Sequence, residues 1–296
     1  MRKIAIALIA LQLVGVFLIA CKSGKPKTMA SSYPSPAPDT TALTFLPGIV
    51  TSDTLDFNAT FFPDGNTFYF TRSLNKKLTV LQSRFENGQW SQPVIATAFD
   101  TAFSNVDPFI ASDSSMYFIS NRATSASDTI KDYDIYRMAW KDGKYGAAER
   151  LPEINSDSTE YYVSLSKNGN IYFSSYRDGN LDLYMAQKQG DHYLTPVNMG
   201  KVINSVSDEH DPFVAPDESY IIYASDRPGG LGEADLYISL NKNGQWQTPV
   251  NMGSRINTPT YEYCPNLTPD GKYFFFSSER NVKWINADVL KLYNKQ

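Results

Sequence analysis

Residues 208–258, DEHDPFVAPDESYIIYASDRPGGLGEADLYISLNKNGQWQTPVNMGSRINT, decide the fold. They read as four short strands separated by turn chemistry. HDPFVA is the first, followed by the turn PDE. YIIYASD is the second, rich in aromatic and β-branched residues. Pro228, Gly229 and Gly230 break the chain. ADLYISL is the third, NKNG a hairpin turn, and QWQTPVNMG the fourth. One four-stranded sheet of this length cannot bury both faces, so it needs neighbours of its own kind.

The chain supplies them. The turn appears as PDG at Pro63, SDS at Ser112, KNG at Lys167, PDE at Pro216 and PDG at Pro269. A spacing of roughly 50 residues with four strands per unit is the signature of a propeller blade. Each turn is followed by an aromatic strand (FYFTR, YFIS, YFSS, IIYAS, FFFSS). A strand opening with Asp comes next: DIY at Asp134, DLY at Asp182, DLY at Asp235 and DVL at Asp288. The blocks EINS, VINS and RINT lead into the next units. With 19 Tyr and 17 Phe and no long amphipathic helical pattern, the chain is expected to be an all-β, five-bladed propeller of antiparallel blades. The last unit lacks an outer strand. Residues 43–50 are expected to supply it, pairing with residues 289–293 and closing the ring.

The acidic residue, PDG turn, aromatic strand ending near an Arg and DxY together resemble the WD40-like repeat of TolB-type β-propellers, over nearly all of residues 43–293. The resemblance implies a cell-envelope protein and leaves the activity open. No GxSxG nucleophile elbow accompanies it.

The N-terminus reads as a targeting segment. Arg2 and Lys3 precede an uncharged apolar run, residues 4–20, and then Cys21. LIAC resembles a bacterial lipobox. The alternatives are a plain signal peptide or a transmembrane helix, for which the run is short. The expected division is residues 1–20 as lipoprotein signal peptide, 21–42 as lipidated Cys21 and a flexible Pro/Ser-rich tether, and 43–296 as the propeller. Lys22 in place of an inner-membrane retention aspartate favours the outer membrane. The lipid would be the sole contact with the membrane. If Cys21 is lipidated, Cys264 has no disulfide partner and is expected to be a small buried core residue.

The formal charge of −4 with no basic run argues against nucleic acid. Eight residues before each turn's central residue stand Asp56, Asn105, Glu160, Glu209 and Glu262. They are either a ring of carboxylates able to hold a cationic ligand at the channel mouth or structural acceptors of the repeat. Arg122, Arg177, Arg227 and Arg280 follow the second strands. They are expected to pair with Asp134, Asp182, Asp235 and Asp288 within the blades. In blade one, Arg72 has no Asp after it, so the pair is expected to be missing there.

Asp107 and Asp211 stand in DPF motifs on inner strands, as catalytic carboxylates do in five-bladed arabinanases and xylosidases. That raises a glycoside hydrolase as the alternative. His210, beside Asp211, joins the mouth candidates, while His192 falls in a hairpin turn. Two histidines do not make a zinc site, and neither metal nor cofactor is expected. The expected function is binding or scaffolding of an envelope protein or glycan.

Overall fold

In a computed structural model of the chain, residues 32–125 and 132–293 are described. The apolar leader, Cys21 and residues 22–31 lie outside them, as does part of the loop between Arg122 and Asp134.

Five antiparallel sheets follow one another around a ring. Blade one is Asp56–Phe61, Thr67–Leu74, Lys77–Glu86 and the outer Val94–Ile95. Blade two is Asn105–Ile110, Met116–Ser120, Asp134–Met138 and Glu149–Arg150. Blade three is Glu160–Leu165, Ile171–Ser175, Asp182–Ala186 and Val197–Asn198. Blade four is Glu209–Val214, Tyr220–Ser225, Asp235–Lys242 and Val250–Asn251. Inner and second strands are buried on both faces because each blade packs between two others. That is why they read as continuous aromatic runs rather than alternating ones: Phe68, Phe118, Phe173 and Phe274 are fully buried.

Blade five is Tyr263–Leu267, Tyr273–Ser278, Asn281–Asn286 and, from the other end of the chain, Leu43–Thr44. Leu43 faces Trp284, Thr44 faces Lys283, and the Phe45 N–H bonds Val282 O at 2.9 Å. The expected ring closure is present. Its register differs from expectation. Glu279 and Arg280, at φ 51° and 65°, make a two-residue hairpin of the kind that matches strand twist, so the third strand starts at Asn281. Residues 287–292 are then a 3-10 helix capped by Asn286, not the closing partner. The outer strand is also shorter than residues 43–50, because Leu46 turns at φ 43°.

The tether is shorter than expected as well. Tyr33 packs on Phe61, Tyr273 and Trp284 and donates to Asp270 Oδ1 at 2.9 Å. The Trp90 indole donates to Ser32 O at 2.7 Å. An aromatic residue between Ser and Pro finds a groove to bury itself in, so residues 32–42 belong to the folded part.

Candidate functional site

The recurring carboxylates at the heads of the inner strands are clasps. Each accepts from the residue four positions earlier, through both its backbone and its side chain. Ser52 does this to Asp56 at 2.8 and 2.6 Å, and Ser156 to Glu160 at 3.1 and 2.5 Å. Ser205 bonds Glu209 at 2.7 and 2.6 Å, and Thr258 bonds Glu262 at 2.8 and 2.8 Å. Ser175, Ser225 and Ser278 on the second strands add a further bond to the three glutamates. The Asn of each IN[ST] block, Asn155, Asn204 or Asn257, bonds both backbone groups of a third-strand residue. IN[ST]xxxE thus ties one blade's third strand to the next blade's inner strand. All four carboxylates are fully buried and their oxygens are engaged by protein donors. Asp56, Glu160, Glu209 and Glu262 are therefore buried in the joints between blades and do not line the mouth's surface. In blade two Asn105 takes the position, donating to Asp100 O and accepting from Arg122.

The expected Arg–Asp pairs do not form. Arg177 bonds Glu160 at 3.1 Å, Arg227 bonds Glu209 at 2.9 Å, and Arg72 bonds Asp56, so blade one does have its ion pair. The physical reason is register: Glu160 lies opposite Ser175, and Arg177, two residues on, reaches back over it. The same guanidinium also bonds Ile154 O at 2.6 Å. The DxY motif contributes its tyrosine instead, with Arg122, Arg177 and Arg227 lying 4.6, 4.8 and 4.8 Å from the ring centroids of Tyr136, Tyr184 and Tyr237. The aspartates turn to the outer strand: Asp134 takes a bidentate bond from Arg150, and Asp182 and Asp235 accept from Asn198 and Asn251. Asp288 pairs with exposed Lys291, and Arg280 lines a surface hollow.

Every inner strand carries a bulge at one equivalent position. It is occupied by Asn58, Asp107, Tyr162, Asp211 and Cys264, all left-handed, with φ between 42° and 56°. Asn and Asp tolerate this region, whereas Tyr and Cys are held there at a cost. The kink aims these side chains at the axis. Cys264 Sγ lies 3.3 Å from Asp211 Oδ2 and 3.7 Å from Asp107 Oδ1, and the Tyr162 hydroxyl crosses to Pro265 O at 2.8 Å. Cys264 is buried, as expected, but is a hydrogen-bond donor rather than an apolar filler. Burial, and then the Asp211 charge, push the Asp107 carboxyl well above the usual carboxylate range.

Asp211 also contacts His210, with Nδ1 3.3 Å from Oδ1, and His210 Nε2 lies 2.6 Å from the Tyr261 hydroxyl. Burial opposes protonation of His210. The neighbouring Asp211, Asp208 and Asp226 outweigh it and raise its pKa. These groups line the floor of a cup of about 280 Å³ at the head end of the inner strands. Its walls are Tyr161, Tyr176, Leu181, Asp208, Asp226, Glu233 and Tyr261. A second hollow of about 470 Å³ shares Glu233 and Tyr261 with the cup and adds Thr260, Tyr263, Glu279 and Arg280. Glu233 is placed by a close contact: a Cβ on Gly232 would sit 2.1 Å from Thr260 O and 2.4 Å from Thr258 O. Only glycine lets that loop lie against blade five.

Of the mouth candidates, His210 and Asp211 reach the cup, and Asp107 lies below it among the buried axial groups. Among the described residues no group of three or more His, Cys, Asp or Glu could hold a metal ion. Asp208, Asp226, Glu233, Tyr176 and Tyr261 escaped sequence reasoning because they sit between strands, outside the recurring motifs, while Tyr161 lies on the blade-three inner strand.

A putative TolB from Agrobacterium tumefaciens aligns at a TM-score of 0.51 and 16% identity, over 76% of this chain and 70% of its own. A gluconolactonase from Xanthomonas campestris aligns at 0.51 and 12%, over 83% and 89%. TolB from Acinetobacter baumannii aligns at 0.47 and 14% over 80% of this chain, which spans 55% of its length. The chain has the β-propeller fold found in TolB-type and gluconolactonase-type proteins. No protein-family model and no curated protein matches the sequence.

Proposed function

We propose that the protein is a lipid-anchored binding module of the bacterial cell envelope, held in the outer membrane through Cys21. Its partner, a protein segment or a glycan chain, lies across the cup and the adjoining hollow. The observation that carries this reading is the cup itself. Asp208, Asp226 and Glu233 face a cavity walled by tyrosines. Asp208 and Asp226 each give one oxygen to a backbone N–H, of Leu181 and Asp208, and among the described residues none of the three forms an ion pair. Carboxylates beside aromatic faces favour cationic groups, so the recognised feature is a basic side chain or an amino sugar. The lipobox and the resemblance to TolB-type repeats support the envelope location.

The hydrolase alternative draws on the convergence of Asp107 and Asp211. A glycosidase needs room for the scissile bond between its two carboxyl groups. Here the Cys264 sulfur occupies that space, which favours binding over hydrolysis.

The test is envelope cross-linking followed by purification of the anchored protein. The wild type should capture a defined partner, and the Asp226→Asn/Glu233→Gln double variant should lose it. Capture undiminished in the double variant would exclude the cup.

A further inference from the structure

A third cavity, of about 590 Å³, opens at the opposite end of the channel, where the inner strands finish. Its wall takes one large apolar side chain from each blade: Phe61, Phe109, Leu165, Phe213 and Leu267. The volume lies within the ~300–1,000 Å³ typical of ligand pockets, which are apolar with a few placed polar groups.

Two features set blade three apart here. The Ser166 hydroxyl is buried and has no hydrogen-bond partner. The fold does not ask for it, because blades two and four place Ala111 and Ala215 at the same position, with the same backbone bond across the turn. A buried hydroxyl without a partner carries a desolvation cost that a ligand oxygen would relieve. One residue on, Lys167 is exposed and, among the described residues, is the sole charged one lining this cavity. The equivalent positions in the other blades are Pro63, Ser112, Pro216 and Pro269.

We propose that this funnel binds a single-chain fatty acid, its alkyl tail among the ring of Phe and Leu side chains and its carboxylate at Lys167 and Ser166. An apolar well with one orphan donor and one cation at a single point of its rim matches an amphiphile with one anionic head. The site is independent of the cup. Tyr33, twelve residues after Cys21, bonds Asp270, between the lining residues Pro269 and Gly271. On the anchored reading above, the source of acyl chains is close at hand.

The test uses membranes carrying the full chain and a diazirine-bearing palmitate. After irradiation, labelled peptides are mapped by mass spectrometry. Label is expected on the peptides holding Phe109, Leu165 or Phe213. Lys167→Glu should lower it about tenfold, the worth of one charge-assisted hydrogen bond. Ser166→Ala should lower it less, and the matching diazirine alcohol should label poorly. Because Lys167 is exposed, its variant keeps the fold, which an unchanged Tm verifies. Label elsewhere, label unaffected by Lys167→Glu, or equal labelling by acid and alcohol would each overturn the proposal. A failed cup experiment would leave it standing.

Discussion

Asp208 and Glu209 are neighbours in the chain and opposites in the fold. Glu209 has no exposed surface and receives bonds from Ser205, Ser225 and Arg227. Asp208 lines the cup. The same contrast separates the clasp carboxylates as a group from those of the cup. In a ring of repeats, an acid that recurs at a fixed offset serves the joint between blades. An acid that appears once is available for something else.

The largest expected effect tests the clasp. Glu209→Ala should cost about 3–5 kcal/mol, because it strands a half-buried Arg227 among groups arranged for a carboxylate. Asp208→Asn should stay within about 0.5 kcal/mol. Urea denaturation of both variants breaks the comparison if the two losses are alike.

Gly232→Ala comes next, at about 1–3 kcal/mol for driving a methyl group into the Thr258 and Thr260 carbonyls. It should also displace Glu233 and weaken partner capture, with the clasps untouched. Full capture by a destabilised Gly232→Ala protein would remove Glu233 from the site.

A smaller effect concerns pH. Asp107 and His210 both hold their protons more tightly when folded. Above about pH 4 the unfolded chain gives up the Asp107 proton while the fold keeps it, and above about pH 6.5 the same holds for the His210 proton. Their contribution to stability is therefore complete at low pH and lost as pH rises through the folded values. Asp107→Asn keeps a residue suited to φ 52°. It should melt a few degrees higher than the wild type at pH 8 and nearly level with it at pH 4. Parallel melting curves at every pH would contradict the raised value.

The smallest effect is none at all: calcium should not shift the Tm, since the clasp oxygens are already bonded. A calcium-dependent rise, abolished by changing Glu160, Glu209 and Glu262 to Gln, would return the ring to the status of a cation site.

The fold was legible because five turns and five aromatic strands repeat, and because residues 43–50 fall on the missing strand of the last unit. The clasp positions were legible too, by their offset, but not their partners. Arg177 stands five residues from Asp182 and seventeen from Glu160 in the chain, yet antiparallel pairing brings the distant one across. The Ser and Thr of the IN[ST] blocks, four residues before each acid, were the signal for the clasp. Blade five misled because its tight Glu279–Arg280 hairpin places a strand without any Asp where DxY was expected. Of the cup, only the floor was legible, through His210 and Asp211. Its walls come from three blades, from loops and, at Tyr161, an inner strand, and nothing in a one-dimensional pattern joins Tyr176 to Glu233.

The joint made by Leu43–Thr44 has a mechanical side. The ring is held shut by the part of the chain nearest its N-terminal segment, so any tension applied there acts on the joint that keeps the circle whole. Tyr33 stands ahead of it in the chain. Wedged against Trp284 and Tyr273 and tied to Asp270, it takes up a pull before that pull reaches Leu43. Trp284, the residue that faces Leu43 across the joint, is part of the same aromatic cluster. A load on the N-terminal side is therefore passed to the far end of the chain, as a knot passes it to the standing part of a rope.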